Sequence, residues 1–146
     1  MFLVIVTLYL ALGVALGALG VHFLEPRLSE AALSAFHTAI DYHQLYALFC
    51  FMMIILSKTK GGLSKTFKTI MPMGLIKLFF LALSVFSGSI YIYVFTGQKF
   101  WVKFTPVGGF LLIISWMVCA CLAFKMSFNK AKRLHHNNDD ELLNGD

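Results

Sequence analysis

The chain alternates long apolar runs with short polar connections, and this pattern predicts four membrane-spanning helices. The uncharged or nearly uncharged runs cover about residues 2–24, 42–56, 78–95 and 104–124. A helix needs about 20 apolar residues to cross a bilayer, although flanking side chains can reach the interface from a shorter run. The second run is short, but a helical pattern that begins near Ser29 extends it. We therefore expect helices at about 2–24, 30–57, 72–95 and 105–126.

These helices account for nearly the whole chain. We expect one all-α integral membrane domain over residues 1–128, a four-transmembrane-helix bundle, and a polar, disordered tail over residues 129–146. The first run has no basic residues before its apolar stretch, which is also longer than the apolar core of an ordinary signal peptide. It is therefore expected to stay in the protein as the first helix.

Composition agrees with a membrane protein. Hydrophobic residues make up 59% of the chain and charged residues 13%, whereas charged residues are about a quarter of a typical soluble domain. The formal net charge is +5, but the basic residues lie between the apolar runs and not along one face. They therefore indicate topology, and no nucleic-acid partner is expected.

The basic residues are divided unevenly between the two ends of the predicted bundle. One end carries Lys58, Lys60, Lys65, Lys68, Lys125, Lys130, Lys132 and Arg133. The other end carries Arg27, Lys99 and Lys103. Because the cytoplasmic loops of membrane proteins are enriched in Lys and Arg, both termini are expected to face the cytoplasm.

Small residues indicate where helices can approach closely. Gly13, Gly17 and Gly20 lie within about 80° of one another on the first helix. Such a groove suits packing within the molecule, and a homodimer face is the alternative. The other helix-packing candidates are Ser84, Ser87 and Gly88 on the third helix, and Thr105, Pro106, Gly108 and Gly109 where the fourth helix begins. Thr105 suits an N-cap and Pro106 the first helical position.

A polar stripe at the start of the second helix contains the one candidate site. Its residues step by four and three along the chain and are Glu30, Ser34, His37, Asp41 and Gln44. His37 and Asp41 are one helical turn apart, so the carboxylate can fix the imidazole tautomer, or both can bind one metal ion. With His22 and Tyr42 they form a candidate outer polar cluster. The alternative is that the stripe only faces water or lipid headgroups on the outer side.

His43 lies on the opposite, apolar side of the same helix. A neutral, hydrogen-bonded core histidine is expected there. No closely spaced set of His, Cys and Glu residues completes a metal or haem site, so neither a metal ion nor a cofactor is expected. Cys50, Cys119 and Cys121 all lie within apolar runs, which is not the pattern of a disulfide framework.

Several segments together resemble a known family of small membrane proteins. They are 17–22 (GALGVH), 38–42 (TAIDY), 86–89 (FSGS) and 105–109 (TPVGG), and they span nearly the whole chain apart from the tail. In order and separation they resemble domain of unknown function 423. The resemblance implies four helices in a bacterial inner (plasma) membrane, with relatives in organisms that have mitochondria. It implies no activity.

The chain also departs from that family's pattern. The family often has a histidine four residues after the tyrosine that matches Tyr42, where this chain has Tyr46. It usually has glutamine at the position of His43. A role that requires a histidine at the position of Tyr46 is therefore not inferred for this chain.

No residue pattern in the chain predicts a catalytic mechanism, so no enzymatic activity is expected. We expect a non-enzymatic membrane factor that acts within the lipid bilayer by helix packing with itself or with another membrane protein. A small transporter or channel is the alternative. Proton-coupled exporters of this size carry a carboxylate at the membrane centre, whereas Asp41 is expected near the outer surface. A metal- or haem-binding protein that uses the outer histidines is a third hypothesis.

Overall fold

The chain folds into helices joined by short turns. A computed structural model describes the backbone of residues 1–143 and the side chains of residues 1–20, 22–62 and 65–129. The helices are α1 (Phe2–Leu19), α2 (Glu30–Lys58), α3 (Gly62–Ile70), α4 (Met73–Thr96) and α5 (Thr105–Leu143). A π-helical turn at Gly20–Leu24 and a 3₁₀ turn at Glu25–Arg27 continue α1, and a 3₁₀ segment at Lys99–Phe104 precedes α5. Residues 1–143 contain no β-strand.

Four helical segments are long and apolar enough to cross a membrane, which confirms the predicted all-α transmembrane fold. They are Phe2–Arg27, Glu30–Lys58, Met73–Thr96 and Lys99–Asn129. The shortest has 24 residues, and a helix of that length extends about 36 Å, more than the hydrocarbon thickness of a bilayer. The 18-residue window of the second segment has the lowest mean hydropathy of the four, 1.5.

Helices α2 and α4 form the inner pair of the bundle. They pack against each other, while α1 lies on α2 and α5 lies on α4. One apolar cluster lies toward the end of the bundle where α2 finishes and includes Cys50, Ile54, Ile76 and Phe79. A second cluster lies toward the opposite end and includes Leu16, Phe36, Ala39, Ile90 and Tyr91. The space between these two clusters holds the polar contacts described below.

Local chemistry sets the ends of the inner helices. The hydroxyl of Ser29 accepts a hydrogen bond from the Ala32 amide at 3.3 Å, which confirms Ser29 as the N-cap of α2. Helix α4 ends at Thr96, and its C-cap Gly97 has a left-handed φ of 70°, which glycine adopts without steric cost. The Gly97 amide donates to the Tyr93 carbonyl at 2.8 Å and so closes the last turn.

The sequence did not predict helix α3. The lysines between the second and third spans indicated only a polar connection. Phe67 and Ile70 are half-buried there, whereas Lys65 and Lys68 are exposed. Apolar and basic residues therefore alternate with helical spacing, and this pattern gives a short amphipathic helix in place of a loop.

The structure also differs from the expected tail. Residues 129–146 were expected to be disordered, but α5 runs on to Leu143, and residues 144–146 lie outside the described part. No glycine or proline interrupts residues 110–143. The backbone can therefore continue its helical hydrogen bonds beyond the apolar run, and the next glycine is Gly145.

Candidate functional site

His43 is completely buried near the midpoint of α2, between α1 and α4. Its Nε2 atom lies 2.8 Å from the backbone carbonyl oxygen of Tyr9 on α1. Its Nδ1 atom lies 3.0 Å from the hydroxyl oxygen of Tyr91 on α4. The Tyr9 ring stacks on the imidazole, with ring centroids 4.0 Å apart and an interplanar angle of 27°. One side chain on α2 thus bonds to both neighbouring helices.

The partners of His43 decide where its proton lies. A carbonyl oxygen can only accept, so Nε2 carries the hydrogen that points at Tyr9. In the neutral ring, Nδ1 then accepts a hydrogen bond from the Tyr91 hydroxyl. Protonating Nδ1 would place a cation in an apolar interior, and no ion pair to His43 occurs among the described side chains, so the charged form is costly. The structure confirms the predicted core histidine as buried and hydrogen-bonded.

The carbonyl of Ala39 completes this network. The Ser87 hydroxyl on α4 donates to it at 2.9 Å, and the Tyr91 hydroxyl lies 3.2 Å from it. Because Ser87 already satisfies the Ala39 oxygen, Tyr91 is free to donate its single proton to His43. We call His43, Tyr91, Ser87 and the carbonyls of Tyr9 and Ala39 the buried network. Both ring nitrogens of His43 are occupied within it, so its role in this conformation is to join helices.

Glycines on α1 allow this close approach to α2. A Cβ atom at Gly13 would lie 3.1 Å from Cδ2 of His43, and one at Gly20 would collide with the Phe36 ring. At Gly17 the nearest atom, Cγ2 of Ile40, would be 3.8 Å away, which is an ordinary contact. All of these neighbours belong to α2, so the glycine groove packs within the molecule.

The small residues of α4 and α5 differ in their surroundings. A Cβ atom at Gly108 would overlap the backbone of Phe86, and one at Gly109 would lie 3.8 Å from the Phe86 ring. The Thr105 hydroxyl is 2.8 Å from that of Ser89, a bond between α5 and α4. Thr105 is the first residue of α5. It therefore lies within the helix, whereas the sequence analysis placed it one position earlier, at the N-cap.

Among the remaining packing candidates of α4 and α5, Ser84 contacts α1, where its side chain meets that of Tyr9. Ser84 donates to the Phe80 carbonyl of its own helix at 2.8 Å. Pro106 is exposed at the second position of α5. Among the described residues, no neighbouring atom lies within 4 Å of where a Cβ at Gly88 would be, so none of the described helices packs closely against it.

The four residues of the candidate outer polar cluster are all exposed. The His37 ring lies edge-on to Phe36, with centroids 6.4 Å apart, and the Tyr42 ring packs against Phe86 at 4.8 Å. No hydrogen bond or ion pair joins His22, His37 and Asp41 within the described side chains. In that same part of the chain, no group of three or more His, Cys, Asp or Glu residues is placed to hold a metal ion.

Two interhelical contacts were absent from the sequence analysis. Tyr9 takes part through its backbone carbonyl, which no residue pattern can reveal. The Trp116 indole on α5 donates to the Tyr46 hydroxyl on α2 at 3.1 Å. Only the Trp116 contact had a signal in the sequence, namely an indole N–H and a tyrosine hydroxyl on apolar helix faces, since such groups favour a hydrogen-bond partner.

Comparisons with known proteins agree with the fold. Residues 16–109 match the family described as "Protein of unknown function (DUF423)". The UPF0382 membrane protein YwdK of Bacillus subtilis is 32% identical over 124 residues, which cover 85% of this chain and 96% of that protein. The UPF0382 membrane protein SH2409 of Staphylococcus haemolyticus is 30% identical, with 86% and 96% covered. A UPF0382 membrane protein of Haemophilus influenzae is 33% identical, with 77% and 84% covered. No solved structure matches the chain significantly. The chain therefore belongs to the DUF423 family of membrane proteins of unknown function.

Proposed function

We propose that the protein is a non-enzymatic, multi-pass component of the bacterial inner membrane, with both termini in the cytoplasm. It acts by helix packing with another membrane protein or with a second copy of itself. The observation that carries this proposal is an open face in the middle of α4, centred on Gly88.

The open face of α4 lies between the side that meets α1 at Ser84 and the 3₁₀ segment that precedes α5. Its exposed apolar residues include Leu81, Ile92 and Phe95. Ser84 and Gly88 are four residues apart, so they lie one above the other on this face, in the small-xxx-small arrangement that lets two membrane helices approach closely. A groove of about 220 Å³ runs along it, walled on one side by Trp101 and Phe104. The open space at Gly88 leaves room for the close approach of a membrane helix from another molecule.

The charge distribution supports the proposed orientation. Six exposed lysines lie at the end of the bundle that contains α3, namely Lys58, Lys60, Lys65, Lys68, Lys77 and Lys125. No Asp or Glu occurs between Asp41 and Asp139. The opposite end mixes the acids Glu25, Glu30 and Asp41 with Arg27, Lys99 and Lys103. This asymmetry is typical of a lysine-rich cytoplasmic end.

A non-enzymatic role is supported by the way the buried polar groups are used. His43, Tyr91 and Ser87 bond to one another or to helix carbonyls. None of the three directs its polar atoms into the groove beside Gly88, whose lining includes only Ser84 and Ser89 as hydroxyl residues. Both of those hydroxyls donate to carbonyls of their own helix. The groove thus offers shape and apolar surface, which suits recognition of a helix.

The test compares two leucine substitutions in glycines that both have open space around them. Gly88→Leu fills the groove, whereas Gly74→Leu lies in the first turn of α4, away from the groove. Each variant is purified from native membranes in a mild detergent, and bound proteins and oligomeric state are read by mass spectrometry. We expect wild type and Gly74→Leu to retain a partner or a second copy and Gly88→Leu to lose it. Retention by Gly88→Leu, or a wild-type protein that is monomeric and alone, would contradict the proposal.

A further inference from the structure

Helix α3 is a separate amphipathic element at one end of the bundle. It has nine residues, and a helix of that length extends about 13 Å, too short to cross a bilayer. Lys65 and Lys68 are exposed and three residues apart, so they lie on one face. Phe67 and Ile70 are half-buried and lie on the opposite face. Because Ile70 packs against the core of the bundle, the apolar face of α3 is turned toward the protein and its lysine face is turned outward.

The position of α3 agrees with an interfacial location. It contacts α2 and α5, and it follows the last residue of α2 after a short turn. Helix α4 begins at Met73, directly after α3 ends. Since α2 and α4 both cross the membrane, α3 lies at the level where their apolar spans begin and end. Its lysines are therefore held at the depth of the lipid headgroups.

Other lysines extend the basic surface of α3. Lys58 and Lys60 precede it, Lys77 lies in the first turns of α4, and all three are exposed. Lys125 of α5 is exposed as well, and it lies about 30 Å along that helix from its start, which is roughly one hydrocarbon thickness. No ion pair involves these lysines within the described side chains, and no acid occurs in residues 42–138.

We propose that α3 and its flanking lysines form a binding surface for anionic phospholipid headgroups. A row of ammonium groups at headgroup depth, without intervening carboxylates, attracts phosphodiesters strongly. The hydroxyls of Thr66 and Thr69 donate to carbonyls of their own helix. Recognition therefore rests on charge, and the surface distinguishes anionic from zwitterionic lipids without reading the rest of the headgroup. This surface is distinct from the α4 groove, so the lipid-binding proposal does not depend on the proposed function.

The test uses the full-length protein in nonionic detergent and two lipids with the same acyl chains. Dioleoylphosphatidylglycerol is the anionic probe, and dioleoylphosphatidylcholine is the zwitterionic control. Binding of each is measured by native mass spectrometry at low and high salt. The variant is Lys65→Gln with Lys68→Gln, and the matched control is Lys99→Gln with Lys103→Gln, two exposed lysines at the other end of the bundle.

We expect wild type to bind phosphatidylglycerol in preference to phosphatidylcholine, and less strongly at high salt. The Lys65/Lys68 variant should lose about tenfold in affinity for the anionic lipid, and the Lys99/Lys103 variant should keep it. Replacing Lys65 and Lys68 by Arg should preserve binding, which separates a loss of charge from a loss of folding. Equal binding of the two lipids by wild type, or equal losses in both glutamine variants, would overturn the proposal.

Discussion

Gly13 of α1 and His43 of α2 fit together because Gly13 has no side chain. A Cβ atom at position 13 would lie 3.1 Å from Cδ2 of His43 and 2.8 Å from Nε2 of Gln44. The imidazole occupies this space and reaches the Tyr9 carbonyl one turn earlier on α1. Close packing of the two helices and the hydrogen bonding of a buried histidine therefore depend on the same glycine.

The first prediction compares alanine at two positions of α1. Gly13→Ala crowds the His43 ring, which two hydrogen bonds hold in place, and overpacking of this kind costs about 1–3 kcal/mol. Gly17→Ala adds a methyl group at an ordinary contact distance from Ile40. It should be neutral or stabilise by up to about 1 kcal/mol, because alanine favours the helix. The free energy of unfolding in mixed detergent micelles measures both. Equal destabilisation by the two substitutions would rule out the specific contact at Gly13.

The second prediction concerns the bond between His43 and Tyr91. Their hydrogen bond should appear as a coupling in a double-mutant cycle of His43→Leu and Tyr91→Phe. Side-chain hydrogen bonds in membrane bundles contribute about 0.6 kcal/mol on average and about 1.7 kcal/mol at most, so the coupling should lie in that range. Unfolding free energies of the two single variants and the double variant give the value. Strict additivity would show that the bond contributes nothing to stability.

The third prediction uses the neighbouring glycines at the start of α5. Gly108→Ala puts a methyl group into the backbone of Phe86, which a rotamer change cannot relieve, so a loss of at least about 1–3 kcal/mol is expected. Gly109→Ala meets only the edge of the Phe86 ring at 3.8 Å and should be tolerated. Melting temperature in detergent and the amount of protein in the membrane report the difference. Similar behaviour of the two variants would mean that α4 and α5 do not pack as closely as the structure shows.

The fourth prediction tests the candidate outer polar cluster. Asp41 is exposed, and the structure shows no hydrogen bond or ion pair between it and His37. Asp41→Asn removes the charge and keeps the volume, so it should change the unfolding free energy by no more than about 0.5 kcal/mol, as at other surface sites. A thermal unfolding series with wild type as the reference checks this. A loss above about 1 kcal/mol would indicate that the cluster forms after all.

Much of the architecture follows from the apolar pattern alone. The runs are long, and Ser29 marks where the second helix begins, so the lengths of the apolar runs place the four spans. Helix α3 was missed because Lys65 and Lys68 were interpreted only as the basic residues of a cytoplasmic loop. The helical backbone of residues 129–143 was not predicted, because polar residues indicate solvent exposure but do not exclude a helix.

The buried network shows where sequence reasoning stops. The position of His43 on an apolar face predicts that it is buried and needs partners. Its partners are 34 and 48 residues away along the chain, and one of them is a backbone carbonyl. Only the packing of α1 and α4 on α2 determines which groups meet it. The sequence also does not show that Gly88 is open. Its four-residue spacing from Ser84 suits a buried contact equally well, and only the packing of the helices leaves it uncovered.

The proposed orientation of the bundle is common to the proposed inner-membrane role and to the physiological relevance of the proposed lipid-binding surface. Thr59, between α2 and α3, and Gln98, between α4 and α5, are exposed at opposite ends. Each is replaced by cysteine in a background without Cys50, Cys119 and Cys121, and intact cells are treated with a membrane-impermeant thiol reagent. The account predicts labelling at position 98 and protection at position 59 until the cells are lysed. Labelling at position 59 with protection at position 98 would place the lysine-rich end outside the cell and contradict it.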